Sequence, residues 1–247
     1  MMKRLILFFI AALLITNCSS SVDTTTLNPD QHLEYAMKLF EDEDYEDCIT
    51  EFQAILLQYP GNQVNDDAQF FLGMTYFNRD QYLLAAYEYS KLIKGIPGSP
   101  FVPQAQYMLA ECYYQLSPPY PLDQAYTKKA IDEYQAFIDF FPKDGKIGDA
   151  EAKIAELRDK LALKEYNSAS IYEKMEYNLA AIDYYQAVFE NYHDTKYAPL
   201  SLYKKIKLLV AKDRIGEALS DISTFLSRYP KDENAVEIQQ LEAALNN

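Results

Sequence analysis

The segment FQAILLQYP at residues 52–60 sets the pattern of the whole chain, because four later segments repeat its arrangement. They are YSKLIKGIP (89–97), YQAFIDFFP (134–142), YQAVFENYH (185–193) and ISTFLSRYP (222–230). Each segment begins with an aromatic or apolar residue, spaces its apolar residues like one face of a helix, and ends at Pro, or at His in the fourth copy. Recurrence at intervals of roughly 20–50 residues is typical of repeat architectures.

Upstream of each segment lies a second amphipathic stretch, so each unit is predicted to be a pair of helices. A small residue stands four positions before each segment, where two helices would cross closely: Cys48, Ala85, Ala130, Ala181 and Ala218. In the first helices, Gly73 and Ala110 are predicted to hold the equivalent small position. The large first residues of the segments are predicted to fill the space between units: Phe52, Tyr89, Tyr134, Tyr185 and Ile222.

This pattern resembles the tetratricopeptide repeat, which pairs two antiparallel helices in about 34 residues. The resemblance implies an all-α fold, an α-solenoid of about five tetratricopeptide-like helix pairs in a right-handed superhelix. Three prolines in LSPPYPLDQAY (116–126) predict an ordered loop between the two helices of the third repeat. No helix breaker follows Gly148 until about residue 175, which predicts one long helix, and residues 232–247 are predicted to form a capping helix.

The composition excludes several classes of function. The 247-residue chain has a formal charge of −14, with 23 Lys and Arg against 37 Asp and Glu, so nucleic-acid binding is not expected. The sequence has no P-loop, nucleophile-elbow or zinc-protease motif, and its two histidines, His32 and His193, belong to no metal-binding pattern. Cys48 is predicted to be a small core residue and Cys112 to lie in an ordinary helix, with no disulfide between them. The acidic stretch at 41–47 is predicted to be a solvated turn. No enzymatic activity, cofactor or metal is therefore predicted.

The amino terminus is typical of a secreted protein. Lys3 and Arg4 precede an apolar run at 5–15, which is shorter than the roughly 20 residues of a spanning helix. The run ends at Cys18, and the residues around it resemble a bacterial lipoprotein signal, with Asn17 in place of the usual small residue. We expect a signal peptide at 1–17, lipid attachment at Cys18 and a flexible tether at 18–29. An ordinary signal peptide with an incidental cysteine, and a small non-cleaved anchor, are the alternatives.

The first helices of stacked repeats line a concave groove. By the offsets usual in tetratricopeptide folds, the groove residues of the first three units are Met37, Phe40, Phe70, Met74, Phe77, Tyr107 and Tyr114. Such a surface suits an extended apolar peptide. The alternative is that tight coiling buries these side chains against one another.

Two segments, residues 59–93 and 159–195, resemble the BamD-type family of lipoproteins from the outer-membrane β-barrel assembly machinery. The resemblance implies a lipid-anchored protein on the periplasmic face of the outer membrane. Residues 30–143 would receive the C-terminal segments of unfolded outer-membrane proteins. Residues 144–247 would dock on the periplasmic domains of the barrel-forming subunit, and accessory lipoproteins are further partners that the family implies.

A different function is compatible with the same repeats. Periplasmic tetratricopeptide-repeat adaptors coordinate cell-wall synthesis with envelope constriction, and they usually have a free signal peptide and a coiled-coil amino terminus. Cys18 and the absence of heptads before Asn28 favour the assembly lipoprotein.

Overall fold

The computed structural model describes residues 23–246, and every regular element within that range is helical. The predicted signal peptide and Cys18 lie outside the described residues. A short 3-10 turn at Thr24–Thr26 is followed by eleven α-helices. These are α1 (Pro29–Glu41), α2 (Tyr45–Gln58), α3 (Val64–Asn78), α4 (Tyr82–Gly95), α5 (Val102–Gln115), α6 (Ala125–Phe140), α7 (Ile147–Lys174), α8 (Asn178–Asn191), α9 (Tyr197–Ala211), α10 (Ile215–Arg228) and α11 (Ala235–Leu245).

The helices follow one another as five hairpin pairs, α1/α2 to α9/α10, and α11 closes the series. This arrangement confirms the predicted all-α, solenoid-type fold. The chain divides into two compact units between Ala68 and Gln69. The first unit holds α1, α2 and the start of α3, and the second holds the remainder of α3 and all later helices.

Four of the five hairpins close with the same backbone turn. Its central residue has a positive φ of 60° at Glu43, 57° at Asp80, 64° at Glu176 and 57° at Asp213. In each turn, the next residue's N–H donates to a carbonyl five positions earlier, over 2.9 to 3.0 Å. This is the Schellman pattern of helix ends, in which glycine usually holds the left-handed position. Acidic residues hold it here, which is consistent with a chain of only 7 glycines.

The second helix of every pair also ends in one way. The residues after these helices have φ between −121° and −132° and ψ between 41° and 64°: Tyr59, Ile96, Phe141, Tyr192 and Tyr229. Four of them precede proline, which cannot continue the helical ladder and disfavours helical geometry in the residue before it. Tyr192 precedes His193 and adopts the same conformation, so the end of the fourth pair does not depend on proline.

The core positions predicted from the repeat are confirmed. All five small residues and all five large ones, from Cys48 and Phe52 to Ala218 and Ile222, have no exposed surface. Gly73 lies directly against Tyr89, since a Cβ built on it would be 2.7 Å from the Tyr89 ring. Cys48 is buried, as predicted, Cys112 is buried as well, and the two form no disulfide.

In the first unit, α1 starts at a capping box. The Asn28 side chain accepts from the N–H of Gln31 over 3.0 Å, and the Gln31 side chain accepts from the N–H of Asn28 over 3.3 Å. One turn later, the fully buried His32 places Nε2 2.6 Å from a Glu51 carboxylate oxygen on α2. These contacts fix the start of α1 and its pairing with α2.

In the second unit, the 28-residue helix α7 confirms the predicted long helix. Its first half contributes Leu157 to a core cluster with Tyr134 and Phe137 of the third pair. Its second half contributes Ala169 to another cluster with Tyr185 of the fourth pair. A single helix therefore belongs to two successive cores.

The closing helix α11 behaves as a cap. Ala235 and Ile238 complete a cluster with Ile222 and Phe225 of α10, whereas Val236 is 64% exposed on the other side. The predicted capping helix is therefore present, within the range 235–245.

Candidate protein-binding surfaces

The predicted groove residues of the first helix pair lie on α1, in the first compact unit. Met37 and Phe40 are both partly exposed, and the Phe40 ring centroid lies 6.3 Å from that of Tyr45. Met37 lines an open cavity of about 620 Å³ together with Tyr35 and Lys38. Its other lining residues are Leu27, Gln31, Glu34 and Glu41. The side chains here offer a mixed apolar and charged surface to a partner.

On α3, the predicted groove residues divide between core and surface. Phe70 is 1% exposed and stacks on Phe101 at 4.7 Å between ring centroids, so its side chain belongs to the core. Met74 and Phe77 are partly exposed, and Phe77 packs edge-on against Tyr82 at 5.2 Å. A partner can therefore reach Met74 and Phe77 but not Phe70.

The two tyrosines of α5 that were predicted to line the groove donate hydrogen bonds to acidic residues of α7. Tyr107 is 7% exposed and its hydroxyl donates to Asp149, whereas the partly exposed Tyr114 donates to Glu156 over 2.8 Å. The Lys146 ammonium lies 4.2 Å from the centre of the Tyr107 ring, at cation–π distance. Both tyrosines thus join α5 to α7, and Tyr114 alone keeps substantial exposed surface.

A charged network beneath these tyrosines was not predicted from the sequence. Glu111 of α5 is 8% exposed and accepts hydrogen bonds from the Tyr134 hydroxyl and the Lys153 ammonium. Burial, and then the Glu111 carboxylate, raise the pKa of Tyr134 above its ordinary value, so this hydroxyl stays protonated and donates. Burial likewise raises the pKa of the neighbouring Cys112 thiol, which keeps it an unreactive core residue.

A sequence signal for this network exists. The α5 residues Tyr107, Glu111 and Tyr114 have the i, i+4, i+7 spacing of one helix face, and Asp149, Lys153 and Glu156 of α7 have the same spacing. When the two helix faces are aligned, each α5 residue meets the α7 residue that lies 42 positions later in the sequence.

The second unit also exposes an apolar surface that was not predicted. Four residues around the turn between α7 and α8 are each more than half exposed: Ile171, Met175, Tyr177 and Leu179. We call this group the fourth-hairpin patch. Tyr177 and Leu179 also line a cavity of about 410 Å³, whose wall includes Tyr172 and Lys212. Clustered exposed apolar side chains of this kind are typical of surfaces that bind other proteins.

Two further properties concern only residues 23–246. No helix in that range has the length and apolar character needed to cross a membrane. Nor does that range contain a group of three or more His, Cys, Asp or Glu residues placed to hold a metal ion.

Helix pairs with these turns, cores and open apolar surfaces define a tetratricopeptide-type repeat protein. The family model of YfiO, described as an outer membrane lipoprotein, matches residues 27–214, and the chain belongs to this family. This finding confirms the BamD-type resemblance stated above.

Two curated relatives share most of the chain. One from Rickettsia prowazekii, named outer membrane protein assembly factor BamD, is 26% identical over 230 residues, which is 92% of this chain and 92% of the relative. A protein of the same name from Caulobacter vibrioides is 25% identical over 198 residues, which is 80% of this chain and 65% of the relative. Among solved structures, a tetratricopeptide-repeat protein of Thermus thermophilus matches with a TM-score of 0.37 at 17% identity, over 89% of this chain and 99% of that one.

Proposed function

We propose that this chain is a non-enzymatic scaffold lipoprotein that promotes the assembly of outer-membrane proteins. The observation that carries the proposal is membership of the outer-membrane lipoprotein family over residues 27–214, together with relatives named as assembly factors. Lipid attachment at Cys18 would hold the chain on the periplasmic face of the outer membrane. Several acyl chains on one cysteine suffice for stable anchoring, since each buried CH₂ contributes about 0.8 kcal/mol.

We assign the receipt of unfolded outer-membrane proteins to the amino-terminal pairs. Partly exposed residues within each compact unit support this role, because sulfur-containing and aromatic side chains adapt to apolar segments of varied sequence. They are Met37 and Phe40 in the first unit and Met74, Phe77 and Tyr114 in the second. Phe70 and Tyr107 would support this surface from the core without contacting the ligand themselves.

We assign docking on the barrel-forming subunit to the carboxyl-terminal pairs. The fourth-hairpin patch supports this role, because a water-exposed apolar group of this size gains stability when a partner covers it. It lies in residues 144–247, where the family resemblance implies partner docking.

Affinity purification of the full chain from native membranes tests both assignments. We expect Tyr177→Ser with Leu179→Ser to reduce recovery of a large β-barrel protein with periplasmic repeat domains by at least about tenfold, which corresponds to roughly 1.4 kcal/mol of lost binding. Leu57→Ser with Val236→Ser removes two apolar side chains elsewhere that are at least as exposed, and it should leave recovery unchanged. Recovery of cell-wall enzymes in place of a barrel protein would refute the assembly function and favour the adaptor.

Crosslinking of the purified protein to C-terminal peptides of outer-membrane proteins provides the second readout. Met74→Ala with Phe77→Ala should weaken crosslinking, and Leu83→Ala with Leu84→Ala on α4 is the matched control. Equal crosslinking in both folded variants would remove the amino-terminal surface from the proposal while leaving the docking assignment open to its own test.

A further inference from the structure

The connection inside the third pair differs from the other four. Nine residues, 116–124, join α5 to α6, whereas the other pairs use the short positive-φ turn described above. We call residues 116–124 the third-pair loop. Its three prolines, Pro118, Pro119 and Pro121, exclude a helix. They also limit the backbone conformations of the loop independently of its contacts with the rest of the chain.

Hydrogen bonds hold the third-pair loop in one conformation. Gln124 is 4% exposed, and its side-chain amide donates to the carbonyl oxygens of Pro119 and Leu122 at 3.0 Å each and of Tyr120 at 3.4 Å. At the start of the loop, the Ser117 and Thr127 hydroxyls are 2.6 Å apart. The loop is therefore a preorganised wall, which loses little conformational entropy when a ligand binds.

Two lysines of α7 meet this loop without an acidic partner. Lys164 donates to the carbonyl of Leu122 over 2.6 Å, and Lys160 donates to the Ser117 hydroxyl over 2.9 Å. Neither ammonium lies within ion-pair distance of a carboxylate in the described part of the chain. Glu173, the acid next to Lys174 on α7, accepts from Tyr185 and pairs with Lys204. Both lysines at this loop are thus without an ion pair in the described part of the chain, although the formal charge of the chain is −14.

A cavity of about 300 Å³ opens between the third-pair loop and α7. Its lining contains two ammonium groups, three neutral polar side chains and an apolar wall, with no carboxylate: Lys164, Lys174, Asn167, Ser168, Ser170, Tyr120, Pro121 and Ile171. This volume is at the lower end of the range for ligand pockets, which is about 300–1,000 Å³. It suits one or two residues of an extended peptide better than a folded domain.

We propose that this cavity binds a carboxylate from an acidic, extended segment of a partner protein. The carboxylate accepts from Lys164, whose ammonium is held at the loop by its bond to the Leu122 carbonyl, and from Lys174, which lines the same cavity. The adjacent apolar side chain of the segment packs on Tyr120 and Ile171. Charge complementarity selects this occupant, because the lining supplies cations and donors and no competing acid. The site goes beyond the proposed function, which rests on apolar surfaces and assigns no charged pocket.

Fluorescence anisotropy on the full chain tests the proposal with two labelled hexapeptides, one alternating Glu with Phe and its counterpart with Gln in place of Glu. We expect the acidic peptide to bind about tenfold more tightly, a preference that weakens with added salt. Lys164→Gln with Lys174→Gln should abolish the preference. Lys174→Gln alone should reduce it without disturbing the loop, because only Lys164 bonds to the loop backbone. Lys128→Gln, an exposed lysine of α6, should leave it intact.

Equal binding of the two peptides would overturn the proposal, as would a preference that persists in the double variant. Vesicles of phosphatidylglycerol distinguish a lipid headgroup from a peptide. Lysine-dependent binding of vesicles, with no preference between the peptides, would also refute the proposal. Ile171 belongs both to this cavity and to the fourth-hairpin patch, but no variant replaces it or any other residue of the patch. Loss of peptide binding with unchanged recovery of the barrel partner would therefore concern the cavity alone.

Discussion

At the scale of single residues, the four acidic residues with positive φ are the least expected feature of the fold. A left-handed conformation costs a residue with a side chain about 1–2 kcal/mol relative to the ordinary helical region, and glycine avoids this cost. Glu43, Asp80, Glu176 and Asp213 nevertheless adopt it in the same turn. The packing of the two helices on either side therefore determines the backbone conformation of these turns, although residues with a side chain disfavour a positive φ.

Replacement of one of these residues by glycine should stabilise the protein. We expect Glu176→Gly to raise the free energy of unfolding by about 1 kcal/mol, because strain in the native turn is relieved. Glu151→Gly, in the helical part of α7, is the control and should lower it by about 1 kcal/mol through weaker helix propensity. Urea unfolding measures both. A loss of stability in Glu176→Gly comparable to that in Glu151→Gly would contradict the explanation.

Gly73 presents the opposite case, in which glycine is required by space. We expect Gly73→Ala to lower the free energy of unfolding by about 1–3 kcal/mol, because the new methyl group overlaps the ring of the fully buried Tyr89. Gly148→Ala in α7 meets nothing within 4 Å and should be neutral or slightly stabilising. Thermal unfolding that gave both variants the wild-type midpoint would show that Tyr89 moves aside.

Residues of the core could be predicted from the sequence, and those of the turns could not. Cys48, Ala130 and Tyr134 were identified because the alternation of small and large residues repeats with the helix pairs. An acidic residue such as Asp213 gives no comparable signal, since Asp and Glu are as common on helix surfaces as in turns. Phe70 was predicted to face the groove and lies in the core, because a shift of one position on a helix rotates a side chain by about 100°.

At the scale of elements, α7 is held to its neighbours by polar contacts at several points along its length. One is an ion pair in which the Arg158 guanidinium bonds to both oxygens of Asp194, at 2.7 Å each, in the turn after α8. The hydrogen bonds from Arg158 lower the pKa of Asp194 below its ordinary value, against the opposing effect of burial. Both groups are partly exposed, so the pair contributes under about 1 kcal/mol.

This ion pair makes part of the stability depend on pH. Because the pKa of Asp194 is lower in the folded chain than the unfolded value near 3.9, its contribution is complete above about pH 4 and is lost as the pH falls further. Asp194→Asn should therefore reduce stability at pH 7 more than at pH 3. Urea unfolding at the two pH values measures the difference, with Asp132→Asn on α6 as an exposed control. An equal effect of Asp194→Asn at both values would exclude the electrostatic contribution.

The candidate surfaces on α7 were beyond prediction for a structural reason. The long helix itself follows from the absence of a breaker between 148 and 175. Which of its residues stay exposed depends on how α8 and the third-pair loop fold back, and this involves hydrogen bonds of Gln124 and Lys164 to loop carbonyls. Every residue carries the same backbone carbonyl, so the sequence does not show which carbonyls accept hydrogen bonds from side chains.

At the scale of the whole molecule, the repeat pattern was sufficient for the fold class, the number of pairs and the closing helix. It did not predict that a compact unit ends at Ala68, inside α3. The division of roles at residue 143 remains a prediction, as do the superhelix hand and the lipid at Cys18. The net charge of −14 disfavours nucleic acid as a partner, and under the proposed function the contacts with protein partners would lie on the local apolar surfaces.

The length of α7 has a mechanical consequence. A helix of 28 residues spans about 42 Å at 1.5 Å per residue, and it behaves as a rigid rod over that distance. Leu157 packs its first half into the third core and Ala169 packs its second half into the fourth. Under the proposed docking, a partner that turned the fourth hairpin would therefore also turn the third core, because both cores contain the same helix.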